Sequence, residues 1–172
     1  MLPQNRLKTK ESVANKLGEN IMQVITSKRV LYKDSLQEKF LFINSEGTIK
    51  KILDELPTGF TGNIQDYDNK VIMPGIVDTH VHINEPGRTD WEGFNSATLS
   101  AAAGGITTLV DMPLNCLPVT TTKEALEIKL REVKDQLWID CGFWGGVVPE
   151  SVKDLEELLK AGVLGVKSFL ID

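Results

Sequence analysis

The chain has 172 residues, with 19 lysines and arginines against 24 acids and a net charge of −5, which argues against a general nucleic-acid or anionic-membrane surface. That length is enough for one domain with a core of its own. Two cysteines, Cys116 and Cys141, do not suggest a disulfide framework and fit a reducing compartment; without an N-x-S/T sequon or an 18-residue apolar run, a soluble intracellular protein is expected.

Residues 1–18 carry Arg6, Lys8, Lys10 and Lys16 against one acid, Glu11. Mitochondrial presequences are Arg-rich and amphipathic, and one arginine is thin support, so residues 1–20 are expected to be a disordered lead-in. Residues 21–32 and 39–53 read as short antiparallel strands. Phe40-Leu41-Phe42-Ile43 and Thr48-Ile49-Lys50-Lys51-Ile52 flank Asn44-Ser45-Glu46-Gly47, a hairpin turn with glycine at its end. Residues 57–63 form a loop rich in glycine and threonine.

From residue 76 onward a strand–loop–helix unit repeats. The apolar runs are 76–82, 106–112, 139–148 and 163–171, near-continuous as a parallel sheet covered on both faces requires. Thr89-x-x-Glu92, Thr121-x-x-Glu124 and Ser151-x-x-Asp154 each match a capping box, so a helix is expected after each. The second helix places Leu126, Leu130, Val133 and Leu137 on one face, and Gly104-Gly105 and Gly162 supply stops. Strands alternating with helices predict βαβ units and an α/β fold.

Residues 71–88 read V-I-M-P-G-I-V-D-T-H-V-H-I-N-E-P-G-R and contain both histidines of the chain. Residues two apart on a strand share a face, so His80 and His82 project side by side and can grip one metal ion; two histidines on a solvated strand would read the same way. Asp78 precedes them by two, either as an orienter of an imidazole or as a polar strand-end residue. Lys167 lies inside the fourth apolar run, where an ammonium is costly to bury unless paired or neutralised; it either snorkels to water or serves as a ligand.

The segment G-I-V-D-T-H-V-H-I-N-E-P-G-R-T-D-W-E-G-F resembles the cyclic amidohydrolases, the group of dihydroorotases, hydantoinases and allantoinases, and within it the allantoinase branch most closely. The resemblance runs from about Ile21 to the last residue. It implies the N-terminal half of a (β/α)8 TIM-type metal-dependent hydrolase barrel, strands one to four over residues 73–172, preceded by a partial β-sandwich over residues 21–72. A complete barrel typically needs about 250 residues. A half barrel leaves an open edge and an uncovered interior, so a fragment of a longer protein is expected rather than a half barrel covered by a second chain.

The resemblance further implies that His80 and His82 are metal ligands. Gly165-Val166-Lys167-Ser168-Phe169-Leu170 looks like the strand-four segment that carries an N6-carboxylysine, a lysine carbamate formed with carbon dioxide. The metal would be Zn2+, binuclear in the complete enzyme, although cobalt, manganese or iron would suit the ligands. The family's remaining ligands, two later histidines and an aspartate that shuttles the proton, have no counterpart after His82, so this chain alone is expected to be inactive. Dihydroorotases usually carry an arginine for the substrate carboxylate where this chain has Asn84. That fits allantoin, opened by water to allantoate in purine breakdown. Asn115, in Asp111-Met112-Pro113-Leu114-Asn115, reads as lying near substrate or as a plain turn residue, and Arg88 as orienting its loop. Trp91, Trp138 and Trp144 read as packing aromatics. The competing readings are a dihydropyrimidinase-related scaffold without catalysis, and a dihydroorotase or hydantoinase. A homotetramer without nucleic acid or membrane is implied, in the cytoplasm with peroxisome and mitochondrion open.

Overall fold

The computed structural model describes residues 21–170; the expected lead-in over residues 1–20 lies outside them. The described residues divide into two compact units at the Pro74–Gly75 junction. Among them no helix is long and apolar enough to cross a membrane.

The first unit is a sheet built around β1 (Ile21–Tyr32), whose alternation buries Val24, Thr26 and Val30. It pairs antiparallel with β2 (Ser35–Asn44), which pairs antiparallel with β3 (Ile49–Leu53). The expected turn before β3 forms, with Gly47 at φ +77°. Lys33 and Asp34, both at positive φ, make a two-residue turn that starts β2 at Ser35 rather than at residue 39. Two short strands absent from the sequence reading, β4 (Asn63–Asp66) and β5 (Val71–Ile72), lie parallel to β1. Phe42 is fully buried, and Phe60 from the Gly/Thr loop meets its ring edge-on at 5.6 Å.

The second unit alternates parallel strands with helices, the repeat expected of a (β/α) barrel. Strands β6 (Ile76–Val81), β7 (Ile106–Asp111) and β8 (Asp140–Phe143) are parallel neighbours in sequence order. After Trp144 the third strand resumes as β9 (Gly145–Gly146), parallel to β10 (Val166–Lys167). Helices α1 (Phe94–Ala103), α2 (Lys123–Glu132) and α3 (Leu155–Lys160), the last entered through a 3-10 turn at Pro149–Asp154, fill the connections. One core joins strands and helices through Ile83, Phe94, Leu109, Leu126, Val133, Phe143 and Leu158. Each fully buried side chain of this size contributes about 1.5–3 kcal/mol. Ile76 and Val77, at the start of β6, are more than half exposed, where burial on both faces was expected.

The three capping boxes fail locally. Helix α1 starts at Phe94 after Gly93, and the first amide is held by the buried Glu85 carboxylate at 2.8 Å, not by Thr89. Thr122 rather than Thr121 caps α2, its hydroxyl accepting from the Ala125 amide at 3.2 Å. Ser151 sits within the 3-10 turn, with its hydroxyl on the main chain of Val148. The buried face of α2 is also rotated. Leu126 and Val133 are buried, but Lys129 lies between them, while Leu130 and Leu137 are exposed.

Candidate metal centre at the strand ends

The two histidines stand at the C-terminal end of β6. The ladder to β7 slips between Asp78 and Val81, where three steps on β6 oppose two on β7. Such a bulge leaves residues out of the ladder and re-aims their side chains. The Asp78 carboxylate accepts the His80 main-chain N–H at 3.0 Å. The rings of His80 and His82 have centroids 5.4 Å apart. Nδ1 of His82 is buried and has no hydrogen-bond partner among the described residues, an exception among buried polar atoms. Burial holds His82 below its ordinary value, assisted by the charges of Lys167 and His80, which favours the neutral ring, the form that binds a cation.

Lys167 lies on β10, opposite Gly146, with Nζ 4.9 Å from the centre of the Phe169 ring. Among the described residues no group of three or more His, Cys, Asp or Glu side chains could hold a metal. The donor set is therefore two imidazoles, one with a free buried nitrogen, and a lysine whose charge reaches His82. That set fits a zinc-type ion bound with a lysine carbamate. Burial, seconded by Asp111, pushes the Cys141 thiol up to about 12, which keeps it protonated and a poor ligand.

Beneath the histidines lies a feature the sequence reading missed. Asp111, fully buried at the end of β7, accepts the Ile83 amide on Oδ1 at 2.7 Å and the Lys129 ammonium on Oδ2 at 2.6 Å. Lys129, also fully buried, reaches the Met112 carbonyl at 3.4 Å. Burial lifts the Asp111 carboxyl to about 6, against the opposing pull of Lys129. The ion pair thus grips the residue that follows His82. A lysine three after Leu126 and four before Val133, on an otherwise apolar stripe, was the signal available.

The loop from Asn84 to Gly93 is fixed from within. Asn84 is buried; its amide donates to the Glu92 carbonyl and its carbonyl accepts from Arg88. The Arg88 guanidinium lies 4.8 Å from the centre of the Trp91 ring. Glu85 holds the start of α1 through Oε2 and accepts Gln136 Nε2 on Oε1 at 3.3 Å. Asn115 is half-buried in the loop after β7, at φ +77°, a conformation asparagine tolerates in turns. The Leu117 amide donates to the Pro86 carbonyl at 2.8 Å, which ties the two loops together.

Residues 71–169 match the amidohydrolase family. The mitochondrial allantoinase of Aquarana catesbeiana is 45% identical over 169 residues, 96% of this chain and 34% of that protein. An allantoinase of Streptomyces avermitilis is 49% identical over 150 residues, 86% of this chain and 33% of the relative. Among solved structures, the L-hydantoinase of Arthrobacter aurescens superposes with a TM-score of 0.77 at 28% identity, over 88% of this chain and 34% of that one. The chain thus spans about a third of the length of the curated relatives it matches.

Proposed function

The chain belongs to the amidohydrolase family, and from that premise we propose that it is part of a metal-dependent hydrolase that opens a cyclic amide, with allantoin as substrate and allantoate as product. The observation that carries the reading is the pair of rings 5.4 Å apart, with the buried, unpartnered Nδ1 of His82 beside them. The similarity to allantoinases across most of the chain supports the choice of substrate.

In this reading His80, His82 and Lys167, the last as its carbamate, hold zinc. A bound zinc polarises the scissile carbonyl and acidifies water. Asp78 and the Asp111–Lys129 pair set the main chain on either side of the histidines. Asn84 and Asn115 face a neutral ureido-hydantoin from the first and second loops, and Arg88 stiffens the first through Trp91. Three donors among the described residues are too few for two metals. The working assembly is a homotetramer in the cytoplasm. Cell fractionation should also sample mitochondria, the compartment named for one relative.

The test is ring opening of allantoin, hydantoin and dihydroorotate by the native protein taken from its source, with zinc and bicarbonate supplied. Turnover of allantoin well ahead of the other two is expected. Preference for either of them would overturn the substrate, and no zinc-dependent turnover of any would overturn the enzyme reading.

A further inference from the structure

We infer that Trp144 is a positioning residue that sets the distance between the histidines of β6 and Lys167 of β10, an inference that rests on the metal-ligand reading above. Trp144 interrupts the third strand between β8 and β9. Its main-chain N–H donates to the Asp111 carbonyl at 2.9 Å, which fixes it to the end of β7. Its indole Nε1–H reaches 65 residues back in sequence to the Thr79 carbonyl, also at 2.9 Å. Thr79 lies between the paired positions Asp78 and Val81, in the bulge that leaves it without a ladder partner on β7. The indole therefore satisfies a carbonyl that the bulge sets free, directly before His80.

The same ring meets the fourth strand. A Cβ built on Gly165 would collide with the six-membered ring of Trp144, so the Gly165 main chain rests on the indole, two residues before Lys167. The Gly145 amide donates to the Gly165 carbonyl at 2.9 Å and the Val147 amide to the Lys167 carbonyl at 2.9 Å, so the strand is held on both sides of the contact. One rigid bicyclic side chain thus touches the residue before His80 and the residue two before Lys167. Glycine at 165 follows from this, because a Cβ there would tilt the ring against Thr79.

The experiment compares the 172-residue chain with Trp144→Phe, Gly165→Ala and, as a control at an exposed tryptophan, Trp138→Phe. Imidazole nitrogen spectra are recorded on the metal-free proteins, and zinc affinity is measured by calorimetry with bicarbonate present. Trp144→Phe keeps an aromatic ring but loses the donor to Thr79. It should move the His80 resonances and weaken zinc binding about tenfold or more, as loss of an outer partner of a metal ligand does, with far-ultraviolet circular dichroism unchanged. Gly165→Ala leaves the indole donor in place and should move the same resonances, which decides the matter if Trp144→Phe does not fold. Trp138→Phe should do neither. Imidazole spectra in Trp144→Phe or Gly165→Ala that match the wild type would overturn the inference. If the wild-type chain binds no zinc, the metal-ligand reading falls by itself, and the metal-free spectra still decide whether Trp144 positions His80.

Discussion

Lys129→Met keeps most of the side chain's volume and removes the ammonium bonded to Asp111 Oδ2. Both partners are shielded from water, at 1% and 0% exposure, so the carboxylate left behind loses its charged partner and keeps main-chain amides, that of Ile83 at 2.7 Å among them. Removing one member of a buried pair costs about 3–5 kcal/mol, because an uncompensated charge remains. The cost depends on pH, and its sign follows from the lifted Asp111 carboxyl. Between the ordinary value of 3.8 and about 6 the folded chain holds a proton that the unfolded chain has released. This group's contribution to stability is therefore full below 3.8 and is lost as pH rises through about 6. Without Lys129, which pulls the value down, the carboxyl titrates higher still. At pH 5 it is neutral in the variant, and only a hydrogen bond of about 1 kcal/mol is missing. At pH 8 the full penalty applies. Urea unfolding at both pH values should thus give a loss for Lys129→Met larger by about 2–4 kcal/mol at pH 8. In the double variant Asp111→Asn/Lys129→Met the amide oxygen still serves Ile83 and no charge is stranded, so at least half of the loss should return. Equal losses at pH 5 and pH 8, or a double variant worse than the single one, would refute the reasoning.

The cap of α1 separates two residues. Glu85→Ala should cost about 1–2 kcal/mol in urea unfolding, whereas Thr89→Ala should stay within about 0.5; the reverse order would return the cap to Thr89. Gly87 has φ +88°, and a Cβ there would press on Leu117, so Gly87→Ala should cost about 1–3 kcal/mol through strain, read as a lowered melting temperature. With 13C-labelled bicarbonate and zinc, the chain should show a carbamate carbon signal that Lys167→Ala lacks; a signal that persists in the variant would rule out Lys167 as its source.

The strands were legible because their signal is local. Apolar runs between turn residues mark β6 and β7, and the H-x-H spacing marks His80 and His82 whatever surrounds them. What failed depends on partners distant in sequence. Thr89-x-x-Glu92 matches a capping box, but the helix starts at Phe94 after Gly93, and its first amide is held by Glu85, nine residues earlier. The stripe drawn through Leu126, Leu130, Val133 and Leu137 left Lys129 out, because Asp111, eighteen residues earlier, is invisible as a partner in a list of charges. The Lys33-Asp34 turn contains no glycine, so nothing announced two residues of positive φ. Trp144 read as a packing aromatic, since its contacts lie on Thr79 and Gly165, far away in sequence on either side.

The order in which the site is built has a consequence for metal binding. The segment that follows His82 is held at one end by Asp111 on the Ile83 amide and at the other by Glu85 on the Phe94 amide. Ile83 and Phe94 are themselves fully buried in the core shared by strands and helices. None of these contacts requires an ion, so the main chain directly after His82 is fixed by folding itself. Small zinc domains behave otherwise, because there the ion supplies the folding energy and the apo state is unfolded. In this chain the geometry is prepaid by buried carboxylates and packing. On the metal-ligand reading proposed above, metal removal should leave the secondary structure of the second unit intact, while substitutions at Asp111, Lys129 or Glu85 should weaken zinc binding through the backbone.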